Sequence, residues 1–520
     1  MIPADLLKTR WMAILISGWV GVVALRSILP DPLFWNALVP AAQAGMVILA
    51  ALGLGFAVLS GLRLFPQDGW ERLFFGATTG LGSLALLVFG AGSLGLLDPA
   101  IWWVLIAGLA LWGIRVLMGD TALRSALRRL RSRSFSGLEA VLLGTGAVAL
   151  GLYFLCALAP PTFFDSMVYH LSLADRFVAA GRISVDPDFV FSFFPLNMEM
   201  LYTLGRILFD GHQVAGLLNY YLGLILVLGA ACLGRRFGGG RAAILSAAVL
   251  ILTPVFGLLA VVPKHDLALA LFEVGAFLAW CRWWFDGRRE SLILAGILAG
   301  FACGTKYAGI YFLLALLAAT AIVAFLQDRK SVLPAFRGLG LALGLALVVS
   351  SPWWVRNAVV TGNPVYPTFQ KLFPSAERLS PNGNRISSES GGRRDLSGLL
   401  RAPWDMTFHP EDFRLFSQIG PFYLAMLLPL LAGFRFRREI PLMLLTVALT
   451  AGFWWWTRPN TRYFLGCLVL LGAASAALLI RFPTRNRIST AALAGLVLLF
   501  PPLNLVAYLS VERTLFDSLG

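Results

Sequence analysis

The chain has 520 residues, 58% of them hydrophobic and 13% charged, and a formal net charge of +15. A chain this long and this apolar is not a single soluble domain. The basic excess does not point to nucleic acid, because it is dealt out among short loops rather than gathered into one patch.

A bilayer span needs about 20 apolar residues. On that measure the sequence predicts an all-α, polytopic membrane protein with about 15 transmembrane helices: 11–28, 40–62, 73–97, 99–118, 138–160, 213–233, 242–262, 267–285, 290–305, 307–326, 339–356, 418–434, 440–456, 463–480 and 488–508. Basic residues fall in alternate connections, among them Lys8 and Arg10, Arg63 and Arg72, Arg124 to Arg133, Arg235 and Arg236, Arg288 and Arg289, Arg435 to Arg438, and Arg481 to Arg487. This is the positive-inside pattern; it places the N-terminus and the arginine-rich turns in the cytoplasm and the C-terminus outside. The first run lacks a small-residue cleavage site and further runs follow at once, so it reads as a membrane anchor. The expected organisation is four leading helices over 1–118, a basic cytoplasmic linker at 119–137, the main module over 138–480, and a terminal helix with a short tail over 481–520. Cys156, Cys232, Cys281, Cys303 and Cys467 lie far apart inside apolar runs, which argues against a disulfide framework or a cysteine zinc site.

Two long connections fall on the outer side, 161–212 and 357–417. The first opens with "FFDSMVYHL", which sets Asp165, Tyr169 and His170 just past a span and two prolines. The helical spacing of Leu171, Ala174, Phe177 and Val178, stopped by Gly181, predicts a short helix along the membrane surface. "FSFFPLNMEMLY" closes the loop and brings Glu199. Next, "VVPKHDLALALFEV" supplies Lys264, His265 and Asp266 in a short outer turn, with Glu273 two helical turns further on. "GTKYAG" contributes Lys306 and Tyr307; "SPWWVRNAVVTGNPVYP" contributes Arg356, Asn357 and Tyr366; "TRPNTRYF" contributes Arg458 and Arg462.

Each group has an ordinary reading beside a chemical one. Asp165 can cap the helix that follows it, Lys264 and Asp266 can pair with each other, Lys306 can snorkel to the headgroups, and Arg458 and Arg462 can anchor the interface. The chemical reading rests on convergence, because all five clusters emerge on one side. Carboxylates suit proton abstraction or a divalent metal, and Lys and Arg suit a phosphate.

Taken in order, "FFDSMVYHL", "FPLNMEMLY", "PKHD", "GTKYAG", "PWWVRN…GNPVYP" and "RYF" resemble the GT-C fold glycosyltransferases that use polyprenyl-phosphate donors, akin to protein O-mannosyltransferases and lipid A aminoarabinose transferases. The resemblance covers roughly 138–480. It implies a multi-pass protein of the bacterial inner membrane that transfers a sugar, with inversion, from a polyprenyl-phosphate donor to a glycan, lipid or protein acceptor at the extracytoplasmic face. Asp165 and Asp266 would then be catalytic, with Asp165 as base. Lys306 would hold the donor phosphate, paired to it rather than to a protein carboxylate, with Arg356 and Arg462 beside it. Tyr169, His170, Glu199, Lys264, His265, Tyr307, Asn357 and Tyr366 would line the substrate pocket. No cofactor is established and a divalent metal, Mg or Mn, stays open; Ser166, standing where such enzymes usually pair a second acid with the first, leans toward a metal-independent mechanism. Two other classes stay open as well. A polysaccharide polymerase or ligase would take a pyrophosphate-linked donor and use an outer loop rich in arginine, as 357–417 is. A lipid or sugar transporter would show inverted repeats and polar groups at the midplane.

Overall fold

The computed structural model describes residues 32–327, 329–370, 372–373, 394–413, 418–433 and 435–481. The expected spans 11–28 and 488–508 lie outside them. Among the described residues the secondary structure is helical throughout. Ten helices among the described residues are long and apolar enough to cross a membrane, and the chain is a multi-pass membrane protein.

Three helices lead: α1 (Pro32–Gly61), α2 (Gly69–Ser93) and α3 (Pro99–Gly119). Asp68 and Asp98 start α2 and α3 by accepting backbone N–H groups of the first turn. Lipid gives helices no hydrophobic reason to associate, so close approach of small residues does the work. Gly53 of α1 faces Gly113 of α3, and Gly55 faces Gly76 and Gly80 of α2; a Cβ at Gly80 would strike the Ala51 carbonyl. The basic helix α4 (Thr121–Arg131) follows, then α5 (Gly137–Ala157), opened by a capping box between Ser136 and Glu139. The leading helices pack on the rest of the chain. Phe301 would meet a Cβ placed on Gly82, Phe74 would meet one on Gly229, and the Tyr221 hydroxyl donates to the Ala41 carbonyl at 3.1 Å.

The first outer loop carries α6 (Leu171–Ala180), which ends as expected at Gly181 in the left-handed conformation, and α7 (Asn197–Leu208). The segment α8 (Gln213–Ile251) is two arms folded back at Gly239, whose φ of 80° and ψ of −167° suit only glycine. Ser246 of the second arm donates to the Ala230 carbonyl of the first at 2.8 Å. Pro254 interrupts that arm, which resumes as α9 (Pro254–Val261). Then come α10 (Asp266–Asp286), α11 (Arg289–Thr305), α12 (Ala308–Gln327), α13 (Arg329–Thr361), α14 (Leu396–Phe408), α15 (Phe422–Ala432), α16 (Ile440–Thr457) and α17 (Leu465–Arg481).

The two ends of the bundle differ chemically. At one, arginines pair with acids: Arg236 takes Asp286 at 2.8 and 3.0 Å, Arg438 joins Asp286 at 3.1 Å, Arg235 meets Asp68 at 2.9 Å, and Arg282 pairs with Glu71. At the other end α5, α11, α13 and α16 finish and α10 begins. There the candidate site residues meet.

Candidate active site

After α5 the two prolines break the helix, and Ser166–His170 forms a single π-helical turn that runs into α6. Such turns are rare and recur at functional sites. Ser166 ties the turn down by donating to the Pro263 carbonyl at 2.8 Å. Asp165 sits at the head of the turn but caps nothing. Its Oδ2 instead meets the Lys264 ammonium and, at 3.3 Å, the Arg462 guanidinium. Lys264 is only 1% exposed and also lies 4.3 Å above the Phe163 ring, whereas Asp165 keeps 29% of its side chain open.

A second pair stands beside the first. Lys306 Nζ lies 2.7 Å from Asp266 Oδ1 and 3.3 Å over the Tyr463 ring. Lys306 thus has a protein carboxylate as partner, which the sequence reading did not give it. Asp266 opens α10 and Lys306 ends the neighbouring antiparallel α11, so the two side chains meet at one level. Lys264 and Asp266 do not pair with each other, because residues two apart at a helix start diverge. Arg458 closes α16 within electrostatic reach of Tyr463, as Arg462 and Lys306 are. Its side chain has no hydrogen bond or ion pair among the described residues.

Beneath the pairs lie His170, Glu199 and His265. Glu199 Oε1 is 2.6 Å from His170 Nδ1 and 3.2 Å from His265 Nδ1. The three offer ligand atoms within 4.8 Å of one another, all buried. His170 Nε2 and Glu199 Oε2 have no partner among the described residues. Burial pushes the Glu199 carboxyl up to about 8 and holds both imidazoles well below 6.5, so the group is uncharged near neutrality. Two imidazoles and one carboxylate suit zinc-class ions better than the Mg or Mn that the sequence left open, which favour all-oxygen sites.

Asn219 and Tyr202, not singled out in the sequence, fix this geometry. Asn219, fully buried in α8, donates to the carbonyls of Val262 at 2.6 Å and Lys264 at 3.0 Å, and accepts from the Tyr202 hydroxyl at 2.6 Å. The signal was present: a lone amide in an apolar span is costly unless it holds something. Tyr169 stacks on Phe191 at 4.2 Å, and burial raises its phenol well above the ordinary value.

The remaining expected residues form a neighbouring group. Arg356 donates to Asn357 Oδ1 at 3.0 Å and to the Phe194 carbonyl at 3.1 Å, while its buried Nη1 has no partner among the described residues. Asn357 donates to the Phe193 carbonyl at 2.6 Å, and the Tyr307 hydroxyl donates to the Tyr366 carbonyl at 2.8 Å. This group braces the "FSFFPLN" loop against α13. Of the loop arginines, Arg378, Arg385 and Arg393 lie outside the described residues, and Arg394 donates to the Trp456 carbonyl at the end of α16.

Residues 195–355 match the family described as dolichyl-phosphate-mannose-protein mannosyltransferase. Among solved structures the chain is similar to ArnT from Cupriavidus metallidurans bound to undecaprenyl phosphate, at TM-score 0.47 and 18% identity over 67% of this chain and 62% of that one. It is similar to the same protein in the apo state at TM-score 0.49 and 18% identity, over 67% of this chain and 61% of that one. It is also similar to the Archaeoglobus fulgidus oligosaccharyltransferase in its apo form, at TM-score 0.41 and 16% identity over 71% and 54%. The chain thus spans about three fifths of the ArnT length, and no curated protein matches it. Asp165 and Arg462 fall outside the family match, which holds Glu199, Lys264, His265, Asp266 and Lys306. Over residues 195–355 the chain is similar to the dolichyl-phosphate-mannose-protein mannosyltransferases.

Proposed function

We propose that this protein transfers a sugar from a polyprenyl-phosphate donor to an acceptor hydroxyl at the extracytoplasmic face of a bacterial inner membrane. The observation that carries the reading is the charge of the site. Lys264, Lys306, Arg458 and Arg462 outnumber the two carboxylates that pair with them, Asp165 and Asp266. The excess of two positive charges matches a departing lipid phosphate, which gains its second negative charge as the sugar leaves. Fixed cations in a poorly hydrated site favour that charge development.

Asp165 Oδ2 is occupied by its two cations, and Oδ1 remains to accept the acceptor's proton. As the acceptor oxygen bonds to the anomeric carbon, the bond from that carbon to the phosphate oxygen breaks and its electron pair leaves with the phosphate. Attack opposite the leaving group inverts the centre. Lys306 and Arg462 each share their charge with an aspartate, so Arg458, whose side chain has no hydrogen bond or ion pair among the described residues, is the cation freest to meet the phosphate. Titrating purified protein with undecaprenyl phosphate tests this. Arg458→Gln is expected to weaken binding about tenfold or more, as loss of a charge-assisted contact does, while unfolding stays at the wild-type temperature. Unchanged affinity rules Arg458 out as the phosphate anchor.

His170, Glu199 and His265 would hold a zinc-class ion, which when bound would lock the first outer loop to the turn before α10 and supply a fixed positive charge below the acceptor pocket. Metal analysis of protein purified without chelator is expected to find one such ion per chain, lost in His265→Ala; a metal content equal in both removes the assignment.

A further inference from the structure

At the arginine-rich end of the leading helices lies a cavity of about 370 Å³ that the transferase chemistry does not use. Phe56 and Ser60 of α1, Phe65 of the following turn, Arg72 of α2, and Trp112 and Arg115 of α3 line it. Three aromatic rings form part of its wall. The Phe56 and Phe65 rings pack tilted against each other with centroids 5.3 Å apart, and Trp112 of α3 is 46% exposed. Its polar side is cationic. Arg72 is anchored by Nε on the Pro66 carbonyl at 2.6 Å and by Nη1 on Asp120 at 2.8 Å, which leaves Nη2 as a donor. Asp120 is also spent capping α4, where it accepts from Leu123 N at 2.7 Å. Arg115 is exposed, and its side chain has no hydrogen bond or ion pair among the described residues.

We propose that this cavity binds the headgroup of a monoanionic glycerophospholipid from the leaflet on the basic side of the membrane. Two guanidiniums against one carboxylate leave a single positive charge, which one phosphodiester balances. The cavity lies where α1 and α3 end and α2 begins, the level at which lipid phosphates sit. Arginine grips a phosphate through two N–H groups at once, the Ser60 hydroxyl can meet a glycerol oxygen, and the Phe56–Phe65–Trp112 wall offers the first carbons of the acyl chains an apolar seat. A free phosphate would find the same cations but no use for that wall. The inference is independent of the proposed transfer reaction.

The test uses full-length protein, delipidated in detergent, with native mass spectrometry and thermal unfolding as readouts. Phosphatidylglycerol, phosphatidylcholine and glycerol 3-phosphate are added separately to wild type and to Arg115→Gln. Arg115 has no protein partner to lose, so the lipid-free variant is expected to unfold at the wild-type temperature. Phosphatidylglycerol is expected to stay bound to wild type and raise its unfolding temperature, with retention falling about tenfold in the variant, the size of one charge-assisted contact. Equal retention by wild type and variant, equal stabilisation by phosphatidylcholine, or equal stabilisation by glycerol 3-phosphate overturns the proposal.

Discussion

Asp165 shows how one side chain changes meaning between sequence and structure. As a polar residue before a helix it invites a capping role, and Asn, which caps about as well, would then be harmless. In the structure it is the counterion of Lys264, a nearly buried ammonium. Asp165→Asn therefore removes a charge partner as well as a proton acceptor, and the variant is expected to unfold at a lower temperature. Adding Lys264→Gln takes away the stranded charge. If Asp165 serves only to neutralise Lys264, the double variant recovers both stability and transfer. If it is the base, the double variant recovers stability but transfer stays down by about 10²–10⁴-fold. The identities of the charged residues and their common side were legible in the sequence, because each interrupts an apolar run. Their pairing was not, since Lys264 finds its partner 99 residues away and Lys306 finds its own 40 away. Arg458 was visible only as an interfacial cation, and the absence of a partner that singles it out exists only in three dimensions.

Between elements, the His170–Glu199–His265 group joins the π-helical turn, α7 and the turn before α10. That junction has a pH signature. From about pH 6.5 to about 8 the folded chain keeps a proton on Glu199 that the unfolded chain, with an ordinary carboxyl near 4.5, has lost; stability therefore falls as pH rises through this window. Below about 6.5 the unfolded imidazoles bind protons that the buried ones refuse, so stability falls as pH drops. In chelator-treated protein the group is thus expected to produce a maximum of unfolding temperature near pH 6.5, with limbs of about 1.4 kcal/mol per pH unit for each proton of difference. Glu199→Gln should flatten the alkaline limb and steepen the acid one, because between about pH 4.5 and 6.5 the proton kept on Glu199 opposes the effect of the two imidazoles. A wild-type alkaline limb as flat as the variant's would falsify the assignment. Elements were more legible than side-chain contacts. Span positions follow from apolar length, and α6 ends at the glycine that its spacing indicated. The predicted runs 213–233 and 242–262 are the two arms of α8, divided at Gly239 and broken again at Pro254, where the backbone, not the hydropathy, sets the boundary.

For the molecule as a whole, the ion-paired arginine end and the lysine–aspartate end lie at opposite ends of the bundle, which the alternation of basic loops implied. Sidedness is tested best at exposed positions, because Lys264 is too buried for a label to reach. With Cys156 replaced by serine, a cysteine at Asp188, in the exposed part of the first outer loop, is expected to react with an impermeant thiol reagent in intact cells. One at Arg129, on α4, is expected to react only after the membrane is opened. The reverse pattern would turn the protein over and remove the extracytoplasmic reading.

The bond between Arg462 and Asp165 spans 297 residues, and this gives the site an order in time. During synthesis the first outer loop, the PKHD turn and Lys306 leave the ribosome well before Arg458 and Arg462 exist. Until those two arrive, each aspartate has one lysine and the cluster carries no surplus charge to draw in a lipid phosphate. A nascent or truncated chain that ends before α16 closes would sit in the membrane with its acids in place yet remain blind to the donor. On the proposed function, a chain whose last helices are not yet inserted would not compete for lipid-linked sugar.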